Sequence, residues 1–246
     1  MVGMCRLCRE KKKLCKKSHI IPNFMYQALF DEKNRIHLIK SEVGKIKQSG
    51  FRQSGEFDSH ILCYSCDNET LGKLDHYASL VLYDGYPKIS ENREHRDGMK
   101  YRYCAGIDYS QFKLFLLSIL FRASIGNRPL FNEVQLGPHE DRIRQMLLNG
   151  EPGEQLEYPC LMMTYLHLKE YPGDLVAQPS RARVNGGYVY KFLIGGIIYV
   201  FFISKCTIFP ELKDIVVNTD GVIKVIHSPP SLARRALGSM VGINLE

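Results

Sequence analysis

The chain lacks any uninterrupted apolar stretch of about 20 residues, the length a bilayer-spanning helix requires. Its most apolar run, Tyr188 to Ile203, falls short of that, carries Lys191 and is broken by Gly195-Gly196. Two β-strands joined by a tight Gly-Gly turn account for it better, so no transmembrane segment is expected. Only Met1 to Met4 precede Cys5, which leaves no room for an apolar export segment. There is no internal repeat and no low-complexity tract, which excludes a solenoid. Past residue 85 there is no phosphate-binding Gly loop, no serine nucleophile elbow and no second metal cluster. Acidic residues are scarce at one end only. Residues 1–50 hold 12 Lys/Arg against 4 Asp/Glu, while the rest holds 21 against 22. The formal charge of +7 therefore belongs to the N-terminal segment. A basic patch concentrates polyanions and releases their counterions, so nucleic acid is the natural partner.

Cysteine is plentiful, with eight residues. Cys15, Cys104, Cys160 and Cys206 are scattered, but Cys5/Cys8 and Cys63/Cys66 form two Cys-x-x-Cys pairs. Each such knuckle presents two sulfurs to one metal, and a second knuckle completes a tetrahedron. A structural Zn²⁺ held by Cys5, Cys8, Cys63 and Cys66 is therefore expected, with no coordination position left for a substrate. With no export segment, this usage fits a reducing cytoplasm better than a disulfide framework.

The fold class expected is α+β in two parts. Residues 1–84 read as a metal-nucleated module: a first knuckle, a polar turn, a short strand from Leu14 to Ile21 ended by Pro22, and a short helix over Asn23–Phe30. A long exposed insertion covers 31–57, and after the second knuckle Leu71, Leu74, Ala78 and Leu82 mark a helical face. Asp84 to Asp108 reads as the inter-domain connection. Residues 85–246 read as an α+β domain with two helices and an antiparallel sheet. Ser110–Ser124 is apolar nearly all round and hence a buried helix. Gly137-Pro138 with Glu140 and Asp141 starts the other helix, which Gly150 ends. Strands follow over Tyr158–Leu168, in the Tyr188–Ile203 hairpin, and in a second hairpin around Asp220-Gly221.

Between the knuckles lies Ser18-His19-Ile20-Ile21-Pro22, and the order knuckle, strand ending in His-Ile-Ile-Pro, insertion, Leu-Cys-x-x-Cys, helix resembles the zinc-containing HNH (His-Asn-His) endonucleases. The resemblance covers roughly the first 80 residues and implies a ββα-metal, treble-clef module that hydrolyses phosphodiester bonds, DNA above all. It makes His19 the general base, in keeping with a side chain that takes a proton near neutral pH. It also implies a catalytic Mg²⁺ or Mn²⁺, for which Asp58 and Asp67 offer hard oxygen ligands. Three positions depart from the family: Ser18 stands where it has Asp, Asp58 where it has Asn, and Asp67 where it has His. Lys11, Lys12, Lys13, Lys16 and Lys17 flank the site and would meet phosphates. Nuclease modules fused to unrelated domains belong to bacterial anti-phage defence and mobile elements, which is the context the resemblance implies. The alternative is a non-catalytic zinc-finger module that binds nucleic acid or a partner protein. The C-terminal domain would then supply specificity, dimerisation or docking.

Overall fold

A computed structural model describes residues 1–33, 35–42, 45–83, 89–95, 97–169, 175–203 and 213–241. Cys206 lies outside them. In the N-terminal segment the strands are very short. β1 (Val2–Met4) and β2 (Lys11–Lys13) pair antiparallel around the first knuckle, and β3 (Ser18–His19) pairs antiparallel with β6 (Phe57–Asp58). Asn23–Leu29 forms a 3₁₀ helix whose start is set by Pro22. The residues between are not a structureless insertion. β4 (Ile36–Glu42) and β5 (Lys45–Arg52) make a separate two-stranded antiparallel hairpin. Its sequence is polar and poorly periodic, which hides it. After the second knuckle the chain winds through wide π-type turns over Ser65–Leu71 and tightens into α1 (Gly72–Leu82), which buries Leu74, Ala78 and Val81.

The C-terminal segment is built on one seven-stranded sheet in the order β10-β11-β12-β9-β13-β8-β7. Its strands are β7 (Ile89–Glu94), β8 (Lys100–Ala105), β9 (Cys160–Thr164), β10 (Ser180–Val184), β11 (Gly187–Ile194), β12 (Ile197–Ile203) and β13 (Val222–His227). Gly195 and Gly196 make the expected tight turn, both with positive φ (57° and 77°). Along β12 the side chains alternate between two apolar clusters. Tyr199, Phe201 and Ile203 join one, and Ile198, Val200 and Phe202 the other. A strand buried on both faces reads as a continuous apolar run, which is why this segment looked like a candidate span.

Three expectations need correction. The presumed connection over 84–108 contributes β7 and β8 to the sheet; the alternation Lys100-Tyr101-Arg102-Tyr103 carries the strand signal, with only one face meeting the core. The turn at Asp220-Gly221 does not close a hairpin: it leads into β13, whose partners are β8 (antiparallel) and β9 (parallel), so the sheet is mixed. A further helix, α4 (Pro230–Val241), buries Ala233 against the second apolar cluster.

α2 (Tyr109–Ile125) is the centre of the molecule. Asp108 caps it by accepting the Gln111 N–H at 3.0 Å, and nearly every residue from Phe112 to Ile125 is buried. α3 (Pro138–Asn149) starts at Pro138 and ends on Gly150 in the left-handed region, as its sequence signals require. One apolar cluster runs from Cys5 and Leu7 through α1, α2 and α3 to Phe201 and Val225. The N-terminal segment thus shares a core with the sheet. Gly126 marks a close approach: a Cβ there would lie 2.9 Å from Ile20 Cδ1.

Candidate metal centre and the ground around His19

Local hydrogen bonds shape the first knuckle. The Cys5 N–H donates to the Glu10 carbonyl (3.0 Å) and the Arg9 N–H to the Cys5 carbonyl (2.9 Å), with Arg9 at φ 59°. The second knuckle is brought in by the Arg6 N–H to the Ile61 carbonyl (2.9 Å) and by the Cys63 N–H to Cys5 Sγ (3.3 Å). All four ligand atoms of Cys5, Cys8, Cys63 and Cys66 lie within 4.8 Å of one another, and Cys8 Sγ is 3.9 Å from Cys63 Sγ. A tetrahedral metal–thiolate site with bonds of about 2.3 Å has sulfurs about 3.8 Å apart, so the four sulfurs are spaced to close on one ion.

The proton affinities of Cys8, Cys63 and Cys66 are out of line with free thiols. Burial acts to raise Cys63, but the Ser65 hydroxyl, the Cys66 N–H and the Cys66 and Cys5 thiols hydrogen-bond to its sulfur and bring it down to about 7. Cys66 is driven up by burial and by the sulfurs of Cys63 and Cys5, and Cys8 is raised chiefly by burial. Four sulfurs this close cannot all be anionic without a cation among them. The cluster is therefore suited to a metal ion, and it is the sole group of three or more His, Cys, Asp or Glu side chains among the described residues that converges in this way.

α3 grips the first knuckle from the other side. Arg144, 5% exposed, donates to the Leu7 carbonyl at 2.9 Å and to Asp141 at 2.9 Å, and Asp141 also pairs with Arg9. Arg144 is thus a buried tie between α3 and the knuckle.

The three residues expected to be catalytic are not gathered at one point. In the antiparallel pair of β3 with β6, Ser18 faces Asp58 and His19 faces Phe57, so Asp58 and the His19 ring project to opposite sides. Asp58 is engaged by two backbone N–H groups, Ser59 at 2.7 Å and Asn127 at 2.6 Å. Asp67 is pushed up by burial, against the pull of Arg122 and of the Ser18 hydroxyl. Ser18 is fully buried, and its hydroxyl lies beside Asp67 without closing a hydrogen bond of normal geometry. Cys15, next to the same carboxylate, is raised to about 11 by burial and by the Asp67 charge.

His19 is half-buried, edge-on to Phe57 with ring centroids 6.3 Å apart. Burial first, then the Arg122 charge, lowers its pKa below 6.5, so its imidazole is neutral at pH 7. Arg122 is a buried tie between α2, α1 and β3. It is 2% exposed, forms a two-point ion pair with Asp75 (2.7 and 2.9 Å), and donates to Ser118 Oγ (2.8 Å) and the His19 carbonyl (3.5 Å).

Of the lysines, Lys11, Lys12 and Lys13 line exposed β2, and Lys12 pairs with Glu10 at 2.9 Å. Lys16 and Lys17 are exposed beside His19, and Lys17 Nζ sits 4.9 Å from the Phe57 ring centroid. Arg128, which sequence reasoning did not single out, reaches the same ring at 5.4 Å and donates to the Phe57 carbonyl at 2.7 Å. Nothing in its local sequence signals this; the fold brings it 71 residues back along the chain. No protein-family model, curated protein or solved structure matches this chain. Among the described residues, no helix is long and apolar enough to cross a membrane.

Proposed function

We propose that the N-terminal segment is a zinc-ordered ββα module of HNH type that seats a nucleic-acid backbone, DNA above all, and hydrolyses a phosphodiester bond with His19 as general base. The observation that carries this reading is the placement of His19. It sits on a short strand whose partner strand leads straight into the knuckle-borne helix, it is neutral at pH 7, and it is flanked by Lys16, Lys17 and Arg128. A neutral imidazole can accept a proton from water, and the surrounding cations suit a phosphate. Zn²⁺ is the ion we assign to the sulfurs, because four thiolates in tetrahedral spacing suit it and leave no open position for a reactant. Any catalytic Mg²⁺ or Mn²⁺ would need carboxylates, for which Asp58 and Asp67 stand as the candidates.

A second reading has its own observation. Asp58 is occupied by two backbone N–H groups and Asp67 is half-buried with its carboxyl pushed up by that burial, so a zinc module that binds nucleic acid without cutting it accounts for both. Incubating the zinc-loaded protein with plasmid DNA and Mg²⁺ or Mn²⁺ separates the two. Nicking that is lost in His19→Ala, with zinc content unchanged, supports hydrolysis. A salt-sensitive gel shift without cleavage across several divalent ions leaves the binding module standing and removes the enzyme.

A further inference from the structure

The far edge of the large sheet carries a group of cations and imidazoles that no part of the zinc module uses. Strand register lines them up. Arg102 stands opposite Asn92 on one side and Val225 on the other, and Lys100 stands opposite Glu94. His227 lies one step beyond the Ile226–Tyr101 pair and so falls in the Lys100 row. Residues opposite one another in antiparallel strands share a face, which puts Asn92, Glu94, Lys100, Arg102 and His227 on one side of the sheet. His167, from the turn after β9, stacks on His227 with ring centroids 4.8 Å apart and planes 13° from parallel. Asn92, Arg93, Glu94, Lys100 and His227 line a recess of about 290 Å³ there.

The charge balance of this recess is lopsided. Arg102 Nε donates to Ser90 Oγ at 2.8 Å, and neither Arg102 nor Lys100 pairs with a carboxylate among the described residues. Arg93, also on the recess wall, is stacked on Tyr103 at 3.6 Å and paired with Glu91. Glu94 is the one carboxylate on the recess wall. Two cations and two stacked imidazoles packed together repel one another, and burial with that repulsion holds His227 below its ordinary pKa. An anion with several acceptor oxygens relieves all of these at once.

We propose that this recess binds a phosphate group, with Lys100 and His227 on its wall as direct partners, and with Arg102 and the stacked His167 beside it adding charge and a second imidazole. A single carboxylate ligand would leave donors unmatched. A phosphate offers an oxygen to each, and its size suits a recess open to solvent. The same chemistry could arrive as a terminal phosphate monoester or as an internal phosphodiester. This inference does not depend on hydrolysis at His19, and its test reads binding alone.

The test is a titration of the zinc-loaded full chain with inorganic phosphate at pH 7, followed by histidine side-chain NMR, with chloride at matched ionic strength as control. Saturable shifts of both imidazoles in phosphate, absent in chloride, are expected. Lys100→Ala should raise the Kd about tenfold, the loss of one charge-assisted contact, and His227→Gln should remove the response of His167. Lys100 is exposed and His227 half-buried, and an unchanged thermal melt verifies that each variant is folded. Competition with a short oligonucleotide bearing a 5′-phosphate, but not with its 5′-hydroxyl twin, assigns a terminal monoester; equal competition by both assigns an internal diester. Equal, unsaturable shifts in phosphate and chloride, or a Lys100→Ala titration matching the wild type, overturn the proposal.

Discussion

The two ends of this chain reach order by different physics. The N-terminal segment has paired strands of two or three residues beside its separate hairpin and α1, packs into the core it shares with α2, and gathers four sulfurs at one point. The C-terminal segment has a 17-residue buried helix and a sheet apolar on both faces at its centre. One adds a point to the shared core, the other rests on area alone. A point constraint places a few residues very accurately and leaves their neighbours at the surface, which suits a site. An area constraint makes a rigid platform.

The largest expected effect comes from removing the point. Cys66→Ser, or a strong chelator, should release the metal and abolish backbone amide protection over residues 1–30 and 57–83, since structural zinc supplies on the order of 10 kcal/mol of folding free energy. The sheet strands β11 and β12 should keep theirs in hydrogen-exchange measurements. Simultaneous loss in both regions would show that area alone does not hold the platform. Next in size is the tie between the two. Arg122→Ala leaves Asp75 without its partner in a mostly buried place and should cost about 3–5 kcal/mol in denaturant melts; Asp75→Asn should act in the same direction. In the platform itself, Phe112→Ala opens a cavity beside Phe115 and should cost about 3–5 kcal/mol without altering metal content.

The smallest effect is electrostatic. The folded state holds the pKa of His19 below 6.5, so the unfolded chain takes up that proton first as pH falls. The contribution of His19 to stability is fully present above pH 6.5 and declines below it, down to the folded-state pKa. NMR titration should place the His19 midpoint under 6.5, and Arg122→Lys, which keeps the charge, should leave it lower than Arg122→Gln does. A midpoint at or above 6.5 in the wild type would remove both burial and Arg122 as its controls.

The same contrast explains what could be read from sequence. Cys5, Cys8, Cys63 and Cys66 were legible because metal ligation imposes a fixed local spacing. The buried helix and the Gly195-Gly196 hairpin were legible because burial on all sides leaves an apolar run. The strands β7 and β8 were hidden because an edge with one solvated face mixes charge into its alternation, as in Lys100-Tyr101-Arg102-Tyr103. Tertiary partnerships were the least legible. Asp75 and Arg122 are 47 positions apart, Arg144 and Leu7 are 137 apart, and neither pairing leaves a local mark. The surroundings of His19 belong to this class. Its strand and its lysines are local, whereas Arg122 and Arg128 arrive from the far end of α2 and beyond.

Metal-edge X-ray absorption on the purified protein, paired with elemental quantification, tests the central claim most directly. One ion per chain, bound by four sulfurs at about 2.3 Å with no nitrogen or oxygen ligand, is the expected result. A protein that folds with no bound metal, or whose ion has a mixed shell drawn from other side chains, would contradict it.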